Sequence, residues 1–280
     1  MYNYNANLTL GEVALNVKDL EKQKNFYKNI IGLSILEEND KEVVLGILET
    51  KKKIIRLLKT NKMKKNSAGL YHTAILVETR SELGRVLKHL FKNSVALEGG
   101  ADHGYSEAIY LQDLEGNGIE IYADKDASVW DKRDNGKIVG VTEALDVENL
   151  LKEADEVGEN FKLKSNTTVG HVHLKVINAQ KSSEFYQKIF NMTDKFSVKT
   201  ASWIANGDYH HHLALNNWQN FLTPRESGEV GIEYFTVIYD SKENYLKTLE
   251  KVREYIVKLE EDKVVIVDNV GIKSVITYKK

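Results

Sequence analysis

The sequence has no cysteine, which rules out disulfides, thiolate metal sites and a cysteine nucleophile together. It has no apolar run near the ~18 residues that a membrane span requires. Its start, MYNYNANLTL, lacks the basic-then-apolar pattern of a secretory leader, so the cytoplasm is the expected location. Neither sign of charge dominates. The 39 Lys and Arg face 41 Asp and Glu, a formal net charge of −2, which gives no electrostatic reason to expect nucleic acid or anionic lipid as a partner. Proline occurs once, at Pro224. A serine nucleophile elbow, a phosphate loop and a dinucleotide fingerprint are all missing. The remainder is a soluble composition, 42% hydrophobic and 29% charged over 280 residues, enough for about two domains of roughly 100–200 residues each.

Repetition is what the chain does contain. A strand at 11–17 leads through Lys18-Asp19-Leu20 into a helix carrying Phe26-Tyr27, then a stop at Gly32 and strands near 34–37, 42–47 and 53–58. The order returns from 170–176, GHVHLKV, with a helix carrying Phe185-Tyr186 and strands near 196–199, 202–206 and 211–216. The helix signatures KNFYKNIIGL and SEFYQKIFNM match closely. Two further units fit the same mould. In one, GLYHTAILV (69–77) precedes a helix at 81–92 and strands at 108–112 and 119–123. In the other, GIEYFTVI (231–238) precedes a helix at 241–259 and strands at 264–267 and 273–278. Four βαβββ units result, at 8–60, 69–125, 168–218 and 229–280.

The turn Asp113-Leu114-Glu115-Gly116-Asn117-Gly118 has the Asp, Asn and Gly chemistry of a tight reversal. On the strand after it, alternation turns Ile119 and Ile121 one way and Glu120 and Tyr122 the other. A mid-strand carboxylate on an enclosed face needs a partner charge or a metal. The polar connector 126–166 separates units two and three. Val147, Leu150, Leu151 and Ala154 share one face there, which predicts a helix within 146–157.

These units, with the runs GLYHTAILV, SEAIYLQDLEGNGIEIYAD, GHVHLKV and YHHHLALNNW, resemble the vicinal oxygen chelate superfamily over almost the whole chain. Within it they look most like bacterial catechol 2,3-dioxygenase-like proteins, although the family's Asp-Pro turn is Asp113-Leu114 here. The resemblance implies an α+β fold of four βαβββ modules paired into curved mixed sheets around a metal. In chain order it suggests a first domain at 1–125, a connector at 126–166 and a second domain at 167–280.

In this architecture the first and last strands of a unit each offer one inward position. Unit two offers His72 and Glu120, unit three His171 (with His173 on the same face as a competitor), unit one Glu12, and unit four Tyr234 and Val275. If units two and three share a cup, His72, Glu120 and His171 make the two-imidazole, one-carboxylate set of non-haem Fe(II) oxygenases. If units one and two pair instead, Glu12, His72 and Glu120 make a harder site suited to Mn(II) or Mg(II). Position by position, the resemblance places the family's acid–base histidine on His211 and its substrate-binding tyrosine on Tyr110, with His103 as a second donor. Read as a strand, 209–215 turns His211 towards one face and His210 and His212 to the other, as structural or solvent-facing residues.

The implied activity is Fe(II)-dependent extradiol cleavage of a small aromatic diol with O2, with Mn(II) as the alternative metal and self-association left open. Two other readings stand beside it. One is a glyoxalase-type isomerase or lyase using nickel, zinc or manganese, and the other a binding protein without chemistry.

Overall fold

The computed structural model describes residues 4–280. Module one runs β1 (Leu8–Val17), α1 (Leu20–Asn29), β2 (Ser34–Glu38), β3 (Glu42–Ile47) and β4 (Lys52–Lys59). Module two runs β5 (Gly69–Val77), α2 (Arg80–Lys92), β6 (Gly99–Asp102), β7 (Ser106–Gln112) and β8 (Gly118–Asp124). The connector holds β9 (Asp131–Lys132), β10 (Ile138–Val139), β11 (Glu143–Ala144) and α3 (Val147–Glu153). Module three runs β12 (Thr168–Lys175), α4 (Ala179–Phe190), β13 (Thr193–Val198), β14 (Ala201–Ala205) and β15 (Leu213–Asn216). Module four runs β16 (Gly231–Tyr239), α5 (Lys242–Val252), β17 (Ile256–Glu260), β18 (Lys263–Val267) and β19 (Lys273–Tyr278). Each α-helix starts at a side chain that caps it: Asp19, Thr79, Asp146, Asn178 and Ser241 each accept a hydrogen bond from a backbone N–H three residues on. Among the described residues no helix is long and apolar enough to cross a membrane.

The modules pair through their first strands, and the pairing is nested. β5 runs antiparallel to β12, so modules two and three share a nine-stranded sheet. β1 runs antiparallel to β16, so modules one and four share an eight-stranded one. Of the two pairings open to the sequence, two with three is the one formed. The chain-order halves 1–125 and 167–280 therefore do not coincide with the sheets, each of which takes one module from each half. The 126–166 connector is long enough to let module three fold back beside module two. It also seals α2, where Leu150 of α3 is fully buried and a Cβ at Gly84 would lie 2.5 Å from the Leu150 carbonyl.

One predicted helix gives way in part to a strand. The helix expected at 241–259 ends at Val252, and Ile256–Glu260 is a strand paired with β18. Charged residues there read as helix-compatible, but β-branched Ile256-Val257 and an open sheet edge favour the ladder, and helix propensity is a weak prior against tertiary pairing.

The repeated Phe-Tyr helix signature explains how the sheets are clamped. The Tyr27 hydroxyl of module one donates to Asp113 Oδ2 in the β7–β8 turn at 3.0 Å. The Tyr186 hydroxyl of module three donates to Asp268 Oδ2 in the β18–β19 turn at 2.8 Å. Each aspartate also accepts two backbone N–H groups of its own turn. Each bond thus joins a helix of one sheet to a turn of the other. Tyr186→Phe is expected to cost about 1.5–3 kcal/mol, the range for a hydrogen bond to a charged group. Urea unfolding measures it, and an unchanged midpoint would remove Tyr186 from the clamp.

Candidate metal centre

Register, rather than proximity in sequence, assembles the centre. In module two Ala74 pairs with Glu120 across β5 and β8, and His72 lies two residues before Ala74. In module three His173 pairs with Ala214 across β12 and β15, and His171 lies two residues before His173. The four corresponding positions are therefore His72, Glu120, His171 and Ala214. Three can ligate a metal and the fourth cannot, which leaves one side of the set open.

The three converge. His72 Nε2 lies 2.8 Å and His171 Nε2 3.0 Å from the same Glu120 oxygen, Oε2, and one ligand atom from each falls within 4.8 Å of the others. All three side chains are buried, Glu120 to 2% exposure. Burial would by itself raise the Glu120 pKa, but the imidazoles of His171 and His72, both aimed at Oε2, outweigh it and hold the carboxyl well below its ordinary range. Burial also holds His171 down to about 4, against the pull of Glu120. A neutral imidazole is the form that binds metal. The donor set passes a test of fit. Two imidazole nitrogens and one carboxylate oxygen converge on a single point, the mixed N/O donor set that a divalent first-row cation prefers. Gly170, just before His171, is required by space, because a Cβ there would collide with the Tyr122 hydroxyl.

The centre opens on a cavity of about 640 Å³ lined by six of the eight histidines: His72, His103, His171, His173, His210 and His211. Tyr71, Phe196, Trp203 and Trp218 form an aromatic wall. His173 is not part of the converging set. Its Nε2 accepts from the Asn216 side-chain amide at 3.0 Å, and it packs edge-on to His72. Tyr110 and His103 both line the cavity and bond to each other, His103 Nε2 to the Tyr110 hydroxyl at 2.6 Å, while His103 Nδ1 meets the Val141 carbonyl of the connector at 2.8 Å. A carbonyl only accepts, so His103 carries its proton on Nδ1 and the Tyr110 hydroxyl donates to Nε2. Burial and the nearby Glu120 carboxylate push the pKa of the same hydroxyl up, and His103, with both ring nitrogens engaged, has no donor left for a substrate, contrary to the expectation from sequence.

The histidine run departs from the strand alternation. Strand β15 begins only at Leu213, and His210–212 precede it in a loop, where side chains are free of the period-2 rule. His210 and His211 both reach the cavity, and their Nδ1 atoms lie 2.7 Å apart. His210 is therefore neither solvent-facing nor on the opposite side from His211. Its ring stacks on Tyr105 at 4.2 Å, and its Nε2 lies 2.9 Å from Asp124 Oδ1. His212 turns back, and its Nδ1 accepts from the Asn206 N–H at 3.3 Å. Outside the cavity, His89 stacks on Phe161 at 3.9 Å. Asp124 escaped the sequence reading, although it shares the Glu120–Tyr122 face of β8 by simple alternation.

The family model of the Glyoxalase/Bleomycin resistance protein/Dioxygenase superfamily matches residues 9–121. A catechol-2,3-dioxygenase of Bacillus subtilis strain 168 is 34% identical over 242 residues, covering 84% of this chain and 84% of that protein. Among solved structures, a Bacillus subtilis protein provisionally described as a dioxygenase superposes with a TM-score of 0.67 at 13% identity, over 96% of this chain and 84% of that one. Glyoxalase I from Zea mays gives 0.60 at 14% identity, over 98% and 93%. At these identities the two structures attest the shared fold.

Proposed function

The chain belongs to the glyoxalase/bleomycin resistance protein/dioxygenase superfamily, and from that premise we propose that it is an Fe(II)-dependent extradiol dioxygenase. Its substrate is a small catechol-like diol, and both atoms of O2 enter the carbon–carbon bond beside the diol. The observation that carries this reading is the convergence of His72, Glu120 and His171 on the floor of an aromatic-walled cavity, with His211 beside His171 at a ring separation of 4.1 Å. The name of the 34% identical relative supports it.

His72, Glu120 and His171 hold the metal, which supplies Lewis acidity and one-electron redox chemistry; Mn(II) suits the same donors. The remaining work falls to the chain's own groups. Tyr71, Phe196, Trp203 and Trp218 bind the aromatic ring and exclude water from it. The Tyr110 hydroxyl, committed as a donor to His103, accepts a hydrogen bond from a diol hydroxyl and orients the substrate.

His211 is the acid–base, and its tautomer follows from its neighbours. The Asp124 carboxylate accepts from His210 Nε2–H, so a neutral His210 offers a lone pair at Nδ1. That lone pair accepts His211 Nδ1–H, which leaves Nε2 of His211 as the basic atom. Nε2 takes a hydroxyl proton from the diol and returns it during ring opening. Burial holds His211 well below its ordinary pKa, so it starts as a base at neutral pH.

The test is metal content after purification without oxygen, paired with O2 uptake on adding catechol or 4-methylcatechol. Stoichiometric iron, one O2 consumed per diol and a yellow ring-fission product are expected. Bound nickel or zinc, with no O2 uptake on any diol, would replace this reading by the isomerase one.

A further inference from the structure

A second cavity, of about 1510 Å³, lies over the sheet of modules one and four and is lined also by Leu76, Val77, Glu78 and Asp124 of module two. The register that assembles the metal centre can be carried onto it. Ala14 pairs with Arg56 across β1 and β4, with Glu12 two residues before Ala14. Thr236 pairs with Val275 across β16 and β19, with Tyr234 two residues before Thr236. Glu12, Arg56, Tyr234 and Val275 thus occupy the places of His72, Glu120, His171 and Ala214.

Here a guanidinium stands where the metal-binding carboxylate would be. Arg56 Nε donates to Glu12 Oε1 at 2.9 Å, the Tyr234 hydroxyl donates to the same oxygen at 2.8 Å, and a further Arg56 nitrogen donates to Glu42 at 2.7 Å. With Glu12 already matched to a fixed cation, this floor has no vacancy for a metal ion. Its other oxygen, Glu12 Oε2, is buried and without a hydrogen-bond partner among the described residues. The walls are apolar, from Leu10, Leu58, Ile238, Val265 and Val275.

Charge decides what the cavity takes. Nine cationic side chains line it against seven acidic ones, in a chain whose net charge is −2. Among the described residues Lys51, Lys52 and Lys279 have no carboxylate partner, against Glu78 and Asp126 without an ion-pair partner, both held by neutral donors, Asn166 and the Ser128 N–H. Lys52 is half-buried, and its ammonium donates only to the Thr167 carbonyl, at 3.1 Å. The metal cavity is the reverse, with Glu98 and Glu120 against Lys175 alone. We propose that the second cup is a binding site for an amphipathic organic anion, a carboxylate on an apolar body, held by the unpartnered lysines with its apolar part on the cup wall. A hydroxyl or amide on that body would find its acceptor in Glu12 Oε2.

Calorimetric titration of the intact protein with decanoate and with 4-butylbenzoate, against decanol as the uncharged control, tests this. Saturable binding of a carboxylate is expected, at least about tenfold tighter than decanol, the equivalent of one charge-assisted hydrogen bond. Lys52→Gln should weaken it several-fold, and Val275→Trp, which fills the cup from an existing wall position, should abolish it. Metal content of Val275→Trp should match the parent protein. Glu120→Gln should still bind the carboxylate, which separates this site from the metal centre and from the reading of its chemistry. Equal affinity for decanol, binding that survives Val275→Trp, or loss of binding in Glu120→Gln would each overturn the proposal.

Discussion

Glu120→Gln is expected to leave the protein folded and without metal. Glutamine has the same shape and still offers one carbonyl oxygen to a neighbouring imidazole, so the packing of β8 against β5 and β7 survives. What goes is the single negative charge of the converging set. Loss of an outer partner to a metal ligand typically weakens binding ~10–100-fold, and loss of the only anionic ligand should exceed that. Two measurements separate metal loss from misfolding. In the parent protein, added Fe(II) or Mn(II) should raise the unfolding temperature, since a ligand at ~100 times its Kd adds about 2.7 kcal/mol of stability. In the variant the same addition should leave it unmoved. The variant's metal-free form should still unfold cooperatively but at lower stability than the parent's, because a carboxylate held well below its ordinary pKa contributes stability at neutral pH that an amide does not. A variant that keeps stoichiometric metal would place the centre elsewhere.

Much of this was legible in the sequence, and the reasons are particular. The repeat is written in local pattern: the Phe-Tyr helices recur because each is one half of a clamp, Tyr27 on Asp113 and Tyr186 on Asp268. His72, Glu120 and His171 were legible because they occupy matching places in a repeated unit. Which modules pair was not. That depends on β5 meeting β12, a contact between residues about 100 apart in the chain, and nothing local distinguishes it from the rival pairing. The histidine run shows the same limit. Alternation is a rule about strands, and His210–212 lie just before one, so the face assigned to His210 failed with the premise. Arg56 went unnoticed for a different reason. A lone arginine on a strand reads as surface until the register sets it opposite Ala14, with Glu12 beside it.

His211→Phe should lower kcat by about 10²–10⁴-fold, the usual contribution of a positioned acid–base, while metal content stays at the parent level. The phenyl ring keeps the packing against His171 and removes the basic nitrogen. If His210 acts through His211 as a positioning residue, as proposed, its variant should behave differently. His210→Phe keeps the stack on Tyr105 but withdraws the acceptor that fixes the His211 proton on Nδ1. The expected loss in kcat is about tenfold or somewhat more, that of one buried hydrogen bond, with little change in KM because neither His210 nor Asp124 belongs to the aromatic wall. The double variant decides whether the chain of hydrogen bonds acts as a unit. If His210 works only by setting the His211 tautomer, then once His211 is phenylalanine its loss costs nothing more, and the double variant turns over as slowly as His211→Phe and no slower. Additive losses would mean that His210 meets the substrate itself. An unchanged rate in His211→Phe would remove the acid–base assignment, and with it the role of Asp124 at the far end.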